Sequence, residues 1–65
     1  MNSDQFEGKW KEFKGQAQQR WGDLTNDDVD RVQGRQEELE GLLQQRYGYE
    51  KDRAKREVDD WIAGR

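Results

Sequence analysis

The sequence contains no cysteine and no histidine. Without thiols there is no disulfide framework and no thiolate chemistry, and without imidazole there is no histidine base and no ordinary zinc ligand set. Small secreted domains normally depend on such staples, so their absence favours the cytoplasm. Long apolar runs are missing too: nothing approaches the roughly 20 residues that span a bilayer, and the stretch from Met1 to Gly8 is polar and acidic. Neither an export signal nor a transmembrane segment is expected. Leu, Ile, Val and Phe are scarce, together ten of 65, a fraction that raises the question of disorder. A chain of this length holds one small domain and buries only about 60% of its unfolded surface, which argues against a deep catalytic cleft. A strong charge of one sign is lacking as well. Twelve basic residues stand against 15 acidic ones for a net of −3, and the sequence pI near 4.9 is not that of a nucleic-acid binder.

What is present offsets the lack of aliphatics. Three Trp, two Tyr and two Phe supply large buried areas per residue, and the balanced charge keeps self-repulsion weak, so a marginal folded domain is expected. Phe6, Trp10, Phe13, Ala17 and Trp21 are spaced by four, three, four and four residues, which at about 100° per residue lines one helix face. A first helix is predicted over 4–21, capped by Ser3 or Asp4 and ended by Gly22 in a left-handed conformation. Thr25 then reads as the N-cap of a short second helix, 26–33, with an acidic first turn and Leu24 stapled to Val29. Leu39, Leu42, Leu43 and Tyr47 mark a third helix over 35–47, again followed by glycine, Gly48. Ala54, Val58, Trp61 and Ile62 mark a fourth, with Glu50 as a poorer cap than Thr25.

The chain also repeats itself. Gln18-Gln19-Arg20-Trp21-Gly22 returns as Gln44-Gln45-Arg46-Tyr47-Gly48, and residues 8–32 lie over 34–58 with Gly8 on Gly34, Glu12 on Glu38 and Gly15 on Gly41. The expected architecture is all-α: four short helices as two crossed helical hairpins with an approximate internal two-fold repeat, in a single domain over 1–65. The expected core is Phe6, Trp10, Phe13, Trp21, Leu24, Val29, Val32, Leu39, Leu42, Leu43, Tyr47, Val58, Trp61 and Ile62.

The glycines sit opposite the apolar stripes, and each one inside a helix costs about 1 kcal/mol relative to Ala. Two readings stand side by side: helix ends or a close helix crossing, and a strip free of side chains where another backbone docks. The acidic cluster Asp23, Asp27, Asp28 and Asp30 does not fit a calcium loop, because a register from Asp28 fails at Val32 and Gln33. It reads as helix capping and dipole complementation. No catalytic, cofactor or metal site is expected, since nothing supplies a pocket that would raise a carboxyl pKa and exclude water. The aromatics with Lys9, Lys11 and Lys14 have the composition of an interfacial membrane helix or a base-stacking platform, but without them the domain has almost no core. The basic start of the fourth helix reads as a solvated, ion-paired surface with pairs such as Asp52 with Arg56 and Lys55 with Asp59. The candidate surface for a protein partner is Gly8, Gly15 and Gly41 with Lys51, Arg53 and Arg56, on a monomer, with nucleic acid and membrane disfavoured.

Gly8-Lys9-Trp10-Lys11-Glu12-Phe13-Lys14-Gly15, then Arg20-Trp21-Gly22-Asp23-Leu24-Thr25-Asn26-Asp27-Asp28, then Gly41-Leu42-Leu43-Gln44-Gln45-Arg46-Tyr47-Gly48-Tyr49 with Lys51, Asp52 and Ala54 resemble the CsbD-like family of small bacterial stress-response proteins. The likeness runs along nearly the whole chain, in order and with the family's spacing. It implies a compact all-helical bundle, an association with the general stress response and no established enzymatic activity. The chain departs from the pattern at Gln16-Ala17-Gln18-Gln19, where more Lys and a larger aliphatic are usual, and at Glu50, where Thr or Ser is common. The first departure weakens a basic surface on the first helix; the second weakens the start of the fourth. Two functions follow as expectations: a small interaction module for an unidentified partner, and a bulk hydrophilic protectant against desiccation, osmotic or heat stress.

Overall fold

A computed structural model describes residues 3–64, which form five helices and no strand. They are α1 (Ser3–Gly8), α2 (Trp10–Arg20), α3 (Asn26–Val32), α4 (Gln36–Tyr47) and α5 (Lys51–Ala63). Consecutive helices pack on one another, most extensively α4 with α5, within 27 × 23 × 17 Å.

The single first helix predicted over 4–21 is two helices, which makes five in place of four. The break falls at Lys9, whose φ of −104° and ψ of 7° leave the helical region. Gly8, just before it, has no Cβ to hold the helical conformation. The Lys9 N–H still donates to Gln5 O at 3.1 Å and its carbonyl accepts from Phe13 N at 3.0 Å, so the axis carries on. Phe6 therefore stays on the face of Trp10 and Phe13, with ring centroids 5.3 and 6.0 Å away. Ser3 and Asp4 lie inside α1, so its cap falls outside the described residues.

The two copies of the repeated pentapeptide end their helices differently. Gly48 is left-handed at φ 70°, and its N–H donates to Gln44 O at 3.0 Å, as a C-terminal glycine should. Gly22 is not left-handed; positive φ occurs at Gln33, Gly34 and Gly48. Trp21 has already left the helix at φ −122° and ψ 89°, and Leu24 N closes the turn onto Trp21 O at 3.1 Å. With the chain turned at Trp21, Gly22 has no left-handed task.

Thr25 caps α3 as predicted, and the cap is reciprocal. Its hydroxyl accepts from Asp28 N and its own N–H donates to Asp28 Oδ2, each at 3.1 Å, closing a capping box. Glu50 occupies the corresponding place before α5 in an extended conformation without a side-chain cap bond. Glu50→Ser should therefore stabilise the domain by about 0.5–1 kcal/mol, read as a rise in urea midpoint; an unchanged midpoint would mean the first turn of α5 needs no cap.

The core joins all five helices. Phe6, Trp10, Phe13, Trp21, Leu24, Val29, Val32, Leu39, Leu43 and Val58 are buried as expected, together with Ala17 and Ala54. Leu42, Tyr47, Trp61 and Ile62, expected in the core, are half-buried against it. These large side chains lie at the edges of their stripes, and a domain this small has too little interior to cover them. Trp61 still joins the aromatic cluster edge-on, 5.2 Å from Trp21 and 6.2 Å from Phe13.

Candidate functional site

Gly8, Gly15 and Gly41 are all exposed, and a Cβ built on any of them would meet nothing within 4 Å. No close helix crossing requires glycine at these positions. Gly8 is the last residue of α1, whereas Gly15 and Gly41 lie inside α2 and α4. The close approach occurs at Gly34, which is buried. A Cβ there would fall on Glu7 Cα, 3.0 Å from the Glu7 carbonyl oxygen, so this glycine seats α1 against the α3–α4 turn.

The basic residues of α5 divide between two faces. Lys51 joins Lys55 along a shallow hollow of about 480 Å³ shared with Gln36, Glu37, Glu40 and Gln44 of α4. Arg53 turns the other way, with its guanidinium 4.2 Å above the Tyr49 ring. That ring is in turn stacked on Tyr47 at 5.3 Å. Arg56 is exposed. The expected pairs Asp52 with Arg56 and Lys55 with Asp59 give way to Arg53 with Glu57 at 3.9 Å. Asp59 instead accepts from Gln36 Nε2 at 2.8 Å, because α4 brings that amide alongside.

The acidic cluster is dispersed by the fold, and among the described residues no group of three or more carboxylates is placed to hold a metal ion. Asp30 pairs with Lys14 at 2.9 Å, while the Asp23 N–H donates to the Tyr47 hydroxyl at 3.1 Å. Asp28 is buried, its side chain 4% exposed. Its carboxylate accepts two hydrogen bonds from Arg46, Nε to Oδ2 at 3.0 Å and a terminal nitrogen to Oδ1 at 2.7 Å. This two-point, charge-assisted geometry is the strong form of such a pair. It joins the cap of α3 to the last turn of α4. The Arg46 guanidinium, followed by the Thr25 N–H, holds the Asp28 carboxyl down at about 2. The repeat's other arginine, Arg20, makes a looser bridge from α2 to Glu57 of α5 at 3.7 Å. The arginines of the two pentapeptides thus tie neighbouring helices together, a role that spacing alone did not reveal.

A carboxyl depressed in the folded state adds stability above its unfolded value of 3.8 and loses it as the pH falls through about 2. Asp28→Asn should thus be less stable than the parent at neutral pH, with the gap closing across that acid window. A gap that stays constant down to pH about 2 would show that the charge of Asp28 is not what Arg46 holds.

Residues 4–56 match the family described as CsbD-like. The chain belongs to the CsbD-like family. It is 64% identical over 61 residues to UPF0337 protein msl9551 of Mesorhizobium japonicum and 57% identical over 61 residues to UPF0337 protein Atu4724 of Agrobacterium fabrum. Each alignment covers 94% of this chain and 91% of the relative. UPF0337 protein YjbJ of Escherichia coli is 49% identical over 61 residues, 94% of this chain and 88% of the relative. The CsbD-like match takes in the capping box, Gly34 and the Asp28–Arg46 pair, and it stops short of Trp61. No helix among the described residues of this CsbD-like chain is long and apolar enough to cross a membrane.

Proposed function

We propose that this chain is a non-enzymatic bacterial stress-response protein that works in the cytoplasm as a small interaction module, docking on a protein partner. The observation that carries the reading is the exposure of Gly15 and Gly41 inside two helices, with open space where their side chains would be. Each costs about 1 kcal/mol of helix stability, and no packing within the chain accounts for either. A partner backbone laid against them does. Gly8, exposed at the end of α1, adds a third open position, whereas Lys51 in the α4–α5 hollow and Arg53 over Tyr49 lie on different faces of α5 and form no single charged flank with Arg56. The arrangement we favour is two crossed hairpins, α2–α3 and α4–α5, related by the internal repeat.

The test is affinity capture from stressed bacterial lysate with the tagged chain and its Gly15→Gln/Gly41→Gln variant. The parent should hold a discrete, saturable partner that the variant loses while keeping its helicity. Equal capture by both would remove the glycine strip from the interface. A second reading, bulk protection, is favoured by 42% charged residues and a mean hydropathy of −1.58. It predicts that protection of a client enzyme during drying follows protein mass and survives scrambling of the surface residues.

A further inference from the structure

Apart from one methionine, every side chain here that gives up an electron readily is aromatic: there is no cysteine, and there are three Trp and two Tyr. The fold gathers these rings into two groups. In the first, Trp21 and Trp61 meet edge-on at 5.2 Å, and Trp10 lies beyond the Phe6 ring, which is 5.3 Å from Trp10 and 6.4 Å from Trp61. Trp10 and Trp21 are buried. Trp61 is half-buried and lines an open hollow of about 390 Å³ with Gln16, Arg20, Asp60 and Gly64. The second group is the stacked pair Tyr47 and Tyr49, 5.3 Å apart at 21° and half-buried. A hydrogen bond joins the groups: the Tyr47 hydroxyl accepts from the Asp23 N–H at 3.1 Å, on the turn closed by Leu24 N onto Trp21 O. Core packing accounts for each ring separately. It does not account for their order, which runs from an indole at the surface through a buried indole to a hydrogen-bonded phenol and an outer phenol.

We propose that this chain disarms one-electron oxidants: Trp61 takes the oxidation at the surface, Trp21 carries it inward, and the Tyr47–Tyr49 pair receives it. An inorganic radical of the carbonate or azide class accepts an electron from Trp61 and is reduced to its closed-shell anion, while the indole proton passes to water. An electron from Trp21 refills Trp61, and one from Tyr47 refills Trp21. The phenolic proton of Tyr47 leaves to solvent, so both indoles are restored and a neutral phenoxyl radical remains. The direction is downhill, because at neutral pH the indolyl radical is the stronger oxidant of the two. The Arg53 guanidinium, 4.2 Å above the Tyr49 ring, opposes positive charge there, which leaves Tyr47 as the first phenol oxidised. A second oxidation places a phenoxyl on Tyr49, and the stacked rings join by a carbon–carbon bond between their ortho positions. The hydrogens on those carbons move to the oxygens, giving two phenols again and a net loss of two hydrogens. The relay uses none of the open glycines, so it stands or falls apart from the function proposed above.

Pulse radiolysis of the parent chain in azide solution at neutral pH tests it, with the azide radical as oxidant. Indolyl absorbance should appear first and decay as phenoxyl absorbance grows, at a rate independent of protein concentration. Trp61→Phe should slow the first capture. Tyr47→Phe should slow the transfer severalfold, whereas Tyr49→Phe should keep its rate and lose the cross-link, each with the circular dichroism of the parent. Prolonged exposure of the parent should give dityrosine fluorescence in a chain lighter by two hydrogens, with the bond between Tyr47 and Tyr49. The parent unfolded in urea, which needs no variant to fold, should transfer severalfold more slowly. Indolyl radicals that decay without a phenoxyl, a transfer rate that rises with protein concentration, or equal rates in the folded and unfolded parent would each overturn the proposal.

Discussion

Trp10→Ala is expected to leave the chain largely unfolded. The indole is 5% exposed, packs on Phe6 at 5.3 Å, and its Nε1–H donates to the carbonyl of Val29 at 2.7 Å. Truncation removes the packing of one of the largest core side chains and leaves that carbonyl without its donor. A buried Trp→Ala change typically costs about 3–5 kcal/mol, and a domain this small rarely has more than about 3–5 kcal/mol in total. Leu43→Ala, at a fully buried position on α4, should follow close behind at about 2–5 kcal/mol. Far-UV circular dichroism through a thermal melt reads both. A cooperative transition near the parent's would put the substituted side chain outside the core.

The second large effect is at Gly34. Its φ of 76° favours glycine, and an added Cβ would land on the backbone of Glu7. The left-handed conformation alone costs a residue with a Cβ about 1–2 kcal/mol. The collision with Glu7 must also move α1, and with it Phe6, which is 1% exposed. Gly34→Ala should cost about 2–4 kcal/mol altogether. Gly48 is the internal comparison: its φ is 70° but a Cβ there would meet nothing within 4 Å. Gly48→Ala should show only the backbone component, about 1–2 kcal/mol. Equal losses at the two positions in urea titrations would mean that α1 is not seated on Gly34.

The apolar stripes and the Thr25 cap were legible in the sequence because they depend on neighbours three or four residues away. Gly48 was legible for the same reason, as the residue after an amphipathic run. Gly22 carried the same local signal and misled, since Trp21 already turns the chain there and glycine's freedom goes unused. The break at Lys9 was hidden because Phe6, Trp10 and Phe13 keep helical spacing across it.

The parts of the candidate site that depend on approach across the fold were not legible. Asp28 looked like one capping residue among four acids, and only the docking of α4 on α3 brings Arg46 to its carboxylate. Gly34 looked like a repeat mate of Gly8, yet Gly8 is open to solvent while Gly34 is pressed against Glu7. Sequence placed Gly15 and Gly41 on outer faces correctly, without distinguishing a surface vacancy from a helix crossing. The open space above both now does.

Chemical denaturation of Gly15→Ala/Gly41→Ala is the most direct measurement of what those glycines are for. Alanine fits both sites without contact and is the better helix former, so the double variant should gain about 1–2 kcal/mol. A higher urea midpoint would show that the fold gives up stability to keep these positions bare, as a docking strip requires. A lower midpoint would show that the glycines serve the fold itself and would contradict the strip.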